Sequence, residues 1–213
     1  MRTDDLIKAL SADARNVEPP ITATIADAVA IGTVLSLVLF LWLLGLRPDF
    51  SQVIVGSVRF LLKFFVTLSA AVPAFLVLRG LSRPDYVMGR RVWLFALAPA
   101  ILFFGSLVEI ASLSTGEWYE RMIGHNSSLC MTMIPVLSLA PMGAVFFALK
   151  AGAPANPAAA GAVGGLLSAA IAATLYAARC TDDSPLFVAL WYPFGIALMT
   201  FVGALLGARY LRW

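Results

Sequence analysis

Six long apolar runs constrain the fold of this chain more than any other feature. Each is about 20 residues long, the length that a helix needs to cross the roughly 30 Å hydrocarbon core of a bilayer. Lipid offers no partner to a bare backbone N–H or C=O, so each run is predicted to be helical. The composition agrees, because 61% of the 213 residues are hydrophobic and only 13% are charged. We predict an all-α integral membrane bundle with six transmembrane helices, at Ala28–Leu46, Phe60–Leu78, Val92–Leu113, Leu129–Leu149, Ala158–Ala178 and Leu186–Ala208.

These spans divide the chain into an N-terminal segment (1–27), a membrane domain (28–208) and a short C-terminal tail (209–213). The first run is longer than the roughly 7–15 apolar residues of a signal peptide. It also follows a segment with five carboxylates, which is a poor start for a cleaved leader. We therefore expect the first run to remain as a membrane anchor.

Lysine and arginine are distributed unevenly between the two faces, and this asymmetry predicts the orientation. Ten basic residues fall on the face that holds both termini, and five fall on the other. The first group is Arg2, Lys8, Arg15, Arg79, Arg83, Arg90, Arg91, Lys150, Arg209 and Arg212. The second group is Arg47, Arg59, Lys63, Arg121 and Arg179. Both termini are therefore predicted to lie in the cytoplasm.

The two cysteines are predicted to lie at one depth on the outer face. The turn between the fourth and fifth spans centres near Ala155, and Cys130 and Cys180 are each 25 residues from it. At 1.5 Å rise per residue, both thiols reach the same rim of one helical hairpin. The rotation of each helix is not fixed by this argument, so a disulfide stays open. The residues alone slightly favour two unrelated cysteines that pack as small apolar side chains.

A metal site is a second interpretation of the same corner. The single histidine, His125, precedes Cys130, and Asp182 follows Cys180. Cys130, Cys180, His125 and Asp182 together would suit a soft or borderline divalent ion. No pair has CxxC or HxxxH spacing, and a solvated loop histidine is the alternative for His125.

Lys63 and Glu109 are the ionisable residues placed deepest in the spans. Counted from the second loop, they reach similar depths near the outer ends of neighbouring helices. We predict a structural ion pair between them, with a role in signal transmission as the alternative. Both are close enough to the interface for snorkelling.

The N-terminal segment is predicted to begin with a short cytoplasmic amphipathic helix. Thr3 can cap a first turn that carries Asp4 and Asp5, and apolar side chains follow on one side. Residues 1–27 carry three basic and five acidic side chains, a balance that anionic lipid would repel. We therefore favour docking on a partner protein over lipid binding. The predicted contact residues are Thr3, Asp4, Asp5, Leu6, Ile7 and Leu10.

Two glycine pairs have the spacing that lets membrane helices approach closely. They are Gly161 with Gly165, and Gly203 with Gly207. We predict packing within one chain, and a homodimer seam is the alternative.

The two ends of the chain resemble one protein family. The opening MRTDDLIKALSADA and the closing CTDDSPLFVALWYPFGIALMTFVGALLGARYLRW are similar to the NrsF family, the negative regulators of sigma factor F. The resemblance implies a bacterial inner-membrane anti-sigma factor that holds an extracytoplasmic-function (ECF) sigma factor, and we predict that residues 1–27 form the sigma-binding segment. It also implies a periplasmic cysteine pair, matching Cys130 and Cys180, that senses heavy metal or oxidative stress.

Other functions are less well supported by the sequence. A small-molecule or metal transporter would place ionisable groups near the bilayer midplane, where this chain has only scattered hydroxyls. A membrane thiol oxidoreductase would need a reactive CxxC. No catalytic triad, phosphate-binding glycine loop or nucleic-acid motif is present. We expect neither an enzyme nor a cofactor, apart from a transient heavy-metal ion at the cysteines.

Overall fold

The computed structural model describes residues 3–5, 7, 20–84, 86, 89–114 and 116–212. This part of the chain is helical and contains no strand, which confirms the predicted all-α class. The helices are α1 (Ile21–Leu43), α2 (Phe50–Gly56), α3 (Val58–Leu81), α4 (Leu97–Ser112, preceded by a 3₁₀ segment at Arg90–Ala96), α5 (Trp118–Ile123), α6 (Ser127–Leu149), α7 (Pro157–Ala177) and α8 (Pro185–Tyr210).

Six stretches of helix are long and apolar enough to cross a membrane, as predicted. The largest difference from the predicted bounds is at α1, which begins directly after Pro20 rather than at Ala28. Hydropathy marks where the apolar run begins, but a helix extends beyond it, so Asp27 lies inside α1. The short helices α2 and α5 were not predicted, because neither is long enough to give a span signal.

The spans run up and down, which gives the bundle two ends. At one end, a Cβ atom on Gly152 would lie 3.0 Å from the Ser82 carbonyl oxygen and 3.4 Å from a side-chain carbon of Ile21. We call this the terminal end, because α1 begins there and α8 finishes there. The other end holds Cys130 and Cys180, and we call it the cysteine end.

Helices α7 and α8 meet along a seam of glycines. Gly161 faces Gly203 and Gly207, and Gly165 lies against the backbone of Met199. A Cβ atom at Gly161 or Gly165 would overlap backbone atoms of α8, so these positions accept only glycine. The predicted packing within one chain is confirmed, and the seam is not open to a second copy.

A proline in α6 explains a polar contact with α1. Pro141 has no N–H, so the carbonyl of Leu137 has lost its partner within the helix. The Ser36 hydroxyl of α1 donates to that carbonyl at 2.8 Å. One turn earlier, Gly32 leaves room for the Pro141 ring. The two helices thus satisfy a buried backbone group that neither could satisfy alone.

Candidate functional site

The two cysteines are buried at the same end of one hairpin. Cys130 lies in the first turn of α6, and Cys180 lies in the connection after α7. They are 0% and 1% exposed, belong to one hydrophobic cluster and carry free thiols. The start of α6 meets the end of α7, where the Tyr176 hydroxyl donates to the Asn126 carbonyl at 3.4 Å.

The environment of Cys180 keeps its thiol protonated. Burial raises the pKa of Cys180 above its ordinary value, and the nearby Lys63 ammonium offsets only part of that effect. Its sulfur donates a weak hydrogen bond to the Asp182 carbonyl at 3.7 Å. The thiolate is the form that binds metal and reacts with oxidants. Both chemistries therefore require Cys180 to lose its proton.

The five residues 180–184, CTDDS, form the connection that we call the CTDDS segment. Its first anchor is Lys63 of α3, which is fully buried. The Lys63 ammonium lies 2.6 Å from Asp183 Oδ1 and donates to the Cys180 carbonyl at 2.8 Å. Since this one side chain holds both residues, the backbone that follows the thiol is fixed to α3.

The second anchor comes from the connection between α1 and α2. Arg47 contacts Asp183 at 3.1 Å and donates two hydrogen bonds to Asp49, at 2.6 and 2.8 Å. These bonds hold the pKa of Asp49 below its usual range. The Phe60 ring lies 5.5 Å from the Arg47 guanidinium and 5.7 Å from the Lys63 ammonium. The negative ring face stabilises both cations.

The third anchor is the start of α6. Asp182 Oδ2 accepts hydrogen bonds from the backbone N–H groups of His125 and Asn126, at 3.0 and 2.8 Å. The Asn126 amide also donates to the Thr181 hydroxyl at 2.9 Å. Asp182 therefore holds the two residues that precede α6, the helix that carries Cys130, although it lies far away in the sequence.

The fourth anchor is Glu109, at the end of α4. This carboxylate is 2% exposed and accepts hydrogen bonds from the Ser184 hydroxyl at 2.7 Å and the Leu186 N–H at 3.1 Å. It thereby caps the first turn of α8, where a negative charge is favourable. The CTDDS segment thus fastens α3, the α1–α2 connection, α6 and α4 to one another.

The comparisons with known proteins identify the family of this chain. The family model described as "Negative regulator of sigma F" (NrsF) matches residues 10–213. The chain belongs to the NrsF family. It is 35% identical to the anti-sigma-F factor NrsF of Caulobacter vibrioides (strain NA1000 / CB15N) and 34% identical to the probable anti-sigma-F factor NrsF of Azospira oryzae (strain ATCC BAA-33 / DSM 13638 / PS). Each match covers 100% of both chains. No solved structure matches.

In this NrsF-family chain, the predicted ion pair between Lys63 and Glu109 is wrong. Lys63 pairs with Asp183, and the nearest cation to Glu109 is Arg59, at 3.8 Å. Counting residues from a loop gives the depth of a side chain but not its direction around the helix axis. The side chains of Lys63 and Glu109 both turn toward the CTDDS segment. That segment supplies partners that lie closer to each of them than they lie to one another.

The predicted four-residue metal site is not assembled. Within the ranges that the structure describes, no group of three or more His, Cys, Asp or Glu side chains is placed to hold an ion. The His125 ring is 97% exposed, with Nδ1 3.7 Å from Asp182 Oδ1. The other carboxylate oxygen of Asp182 accepts the hydrogen bonds from the N–H groups of His125 and Asn126. The buried thiols Cys130 and Cys180 are what remains of the set.

The predicted partner-binding residues lie in the N-terminal segment of this NrsF-family chain. Thr3, Asp4, Asp5 and Ile7 are helical and exposed. Leu6 and Leu10 lie outside the described residues. Partner binding by this segment stays a prediction.

Sequence reasoning missed the polar anchors around the cysteines. Arg47, Asp183 and Asn126 sit in connections, where charged and amide side chains are usually solvated. The signal that could have found them is the CTDDS motif itself. A run of consecutive polar residues beside a buried cysteine needs buried partners, and few cations are available on that face.

Proposed function

We propose that this protein is a multi-pass inner-membrane anti-sigma factor that holds an ECF-type sigma factor and releases it when Cys130 and Cys180 react. The stimulus would be a heavy metal or an oxidant. Membership of the NrsF family and the names of its relatives support a sigma factor as the partner. The observation that carries the sensor role is the burial of both thiols beside the CTDDS segment, which connects four parts of the bundle.

In the proposed orientation the cysteine end lies in the periplasm and both termini lie in the cytoplasm. The excess of lysine and arginine at the terminal end supports this orientation. An oxidising periplasm permits disulfide formation, which a reducing cytoplasm opposes.

Either stimulus has a defined chemistry at the thiols. With a peroxide, the two thiols give up two electrons and two protons, an S–S bond forms, and the peroxide leaves as two waters. With a soft divalent ion, both thiols lose their protons and both sulfurs ligate the metal. Each product removes the weak hydrogen bond of the Cys180 thiol to Asp182 and pulls the CTDDS segment toward α6.

Movement of the CTDDS segment toward α6 would affect the contacts of the segment with the other helices. To invert a 99:1 ratio between the state that binds the sigma factor and the state that releases it, the reaction must stabilise the second state by about 5.5 kcal/mol relative to the first. A disulfide or two metal–sulfur bonds supply energy of that order. Movement of Cys180 and Asp183 would strain the contacts of Lys63 and Arg47, and movement of Ser184 would strain those of Glu109.

Helix α4 is the element that would carry the change across the bilayer. It is mostly exposed and lies between two open cavities of about 630 and 930 Å³. Glu109 ties its last turn to the CTDDS segment. Its first turn continues from the 3₁₀ segment that contains Arg90 and Arg91, in the basic loop at the terminal end. We propose that this loop and the N-terminal helix form the sigma site, so tilting α4 would weaken it.

The test is a paired serine variant in cells. With Cys130→Ser and Cys180→Ser together, we expect the sigma factor to co-purify as before and its target genes to stay uninduced by metal or peroxide. Ser128→Ala is the matched control, because this residue is exposed on the same first turn of α6. Induction that persists without both thiols would exclude the sensor role. Failure of the unchanged protein to bind the sigma factor would exclude the anti-sigma role.

A further inference from the structure

A cavity at the terminal end has the properties of an anion site. It has a volume of about 520 Å³ and lies between the start of α1, the end of α3 and the loop that follows. Three guanidinium groups line it, together with two hydroxyls. These belong to Arg79, Arg83, Arg91, Thr22 and Tyr86.

Two residues that line this cavity each have one buried polar atom that finds no partner within the described part of the chain. These atoms are Arg79 Nε and the Tyr86 hydroxyl. The Arg79 guanidinium is held 5.5 Å from the centre of the Phe75 ring, so its position is fixed while its Nε–H remains unpaired. Among the residues that the structure describes, no carboxylate lies within 4.0 Å of the three guanidinium groups. Asp85, in the same loop, is outside that set.

Buried donors without acceptors are costly, and a phosphate would satisfy them. An unpaired buried polar group costs about 1–3 kcal/mol. Guanidinium groups present several donors in a fixed fork that matches phosphate oxygens. The start of α1 adds a favourable field, because Thr22 lies in a first turn that has no acidic residue and no side-chain cap.

The position of the cavity favours a lipid as the source of that phosphate. The cavity lies where α1 and α3 reach the membrane surface, and Leu76, one turn deeper on α3, lines it and is 39% exposed. Basic pockets between the ends of membrane helices suit anionic headgroups, with the acyl chains following the apolar helix surface. We propose that this cavity binds the headgroup phosphate of an anionic phospholipid, with an acyl chain lying along Leu76. This site is separate from the cysteines, and it shares Arg91 with the loop that we propose for the sigma factor.

The experiment measures lipid retained by the full chain in nanodiscs. One set contains phosphatidylcholine alone, and the other also contains phosphatidylglycerol. After transfer to detergent, native mass spectrometry counts the bound lipids. We expect phosphatidylglycerol to be retained, and Arg79→Gln with Arg91→Gln to lower its retention about tenfold, since two charge-assisted hydrogen bonds are lost. Arg90→Gln is the matched control, because Arg90 is exposed in the same loop and does not line the cavity.

Further arms separate the alternatives. Tyr86→Phe removes one hydroxyl and no charge, so a loss of about threefold with unchanged thermal unfolding would support the site even if the arginine variants misfold. Inorganic phosphate at physiological concentration should not displace the lipid. Displacement would assign the cavity to free phosphate and overturn the lipid proposal. Equal retention by all variants, or an equal loss with Arg90→Gln, would also overturn it.

Discussion

Lys63 is a cation with no exposure to solvent in an apolar helix, and its contacts explain why it is tolerated. Its ammonium lies against the Asp183 carboxylate and the Cys180 carbonyl, beside the face of Phe60. A buried charge without such partners would cost several kcal/mol. Removing one partner exposes the other to that cost, so Lys63 and Asp183 should behave as a unit.

Replacing Lys63 with methionine should destabilise the protein by about 3 kcal/mol. The Asp183 carboxylate would keep only Arg47, and the Cys180 carbonyl would lose its shortest hydrogen bond. Unfolding in detergent, followed by circular dichroism, measures the loss. Lys150→Met is the control, because that lysine is exposed. Adding Asp183→Asn to Lys63→Met should cost less than the sum of the single changes, and strict additivity would contradict the pairing.

For single residues, the sequence predicts which side chains are important more reliably than it predicts the partners that they contact. The deep placement of Lys63, Glu109, Cys130 and Cys180 follows from residue counts along straight helices. Their partners depend on rotation about each helix axis and on the path of a short connection. Neither is encoded in hydropathy, and for this reason the Lys63–Glu109 pair was predicted in error.

The helices themselves were predictable because the bilayer fixes their length. Three of the six predicted spans match a helix to within two residues at each end, namely those of α6 at Ser127–Leu149, α7 at Pro157–Ala177 and α8 at Pro185–Tyr210. The short helices α2 and α5 carry no such constraint, because they lie in connections. The glycine seam between α7 and α8 could also be predicted from the sequence, since spacing alone places Gly161 and Gly165 on one helix face.

The glycine seam gives a prediction for α7. Gly165→Ala should lower the free energy of unfolding by about 1–3 kcal/mol, because the new methyl group would overlap the Met199 carbonyl. Gly143→Ala is the matched control, since a Cβ atom there meets nothing within 4 Å. The control should be neutral or slightly stabilising, as alanine is the better helix former. Thermal unfolding in one detergent compares them, and equal melting temperatures would refute the close approach.

A second prediction concerns the attachment of α4. Glu109→Ala removes the acceptor for Ser184 and Leu186, so α4 loses its tie to the CTDDS segment. If α4 transmits the signal, this variant should bind the sigma factor about tenfold more weakly without any stimulus, within the usual range of allosteric coupling. Glu117→Ala is the control, because Glu117 is exposed before α5. The affinity for the sigma factor is measured in nanodiscs. An unchanged affinity would exclude α4 as the helix that transmits the signal.

For the molecule as a whole, burial of the thiols affects how its orientation can be measured. An impermeant reagent would label Cys130 or Cys180 slowly on either side of the membrane, because both are buried. Poor labelling of the natural cysteines would therefore say nothing about the side on which they lie.

Orientation is better read at exposed positions in a chain with both cysteines changed to serine. Glu117→Cys lies in the connection before α5, near the cysteine end, and Lys150→Cys lies after α6, at the terminal end. In intact spheroplasts, an impermeant maleimide should label the first and spare the second until the membrane is opened. The reverse pattern would invert the proposed topology and place the sensor in the cytoplasm.

The bond from Ser36 to the Leu137 carbonyl joins residues 101 positions apart. A ribosome adds roughly 5–20 residues per second, so the first span waits about 5–20 s for its partner to be made. During that interval, the Ser36 hydroxyl and Gly32 of α1 wait in the bilayer without their partners on α6. The order of synthesis thus delays the docking of the first helix until α6 has been made.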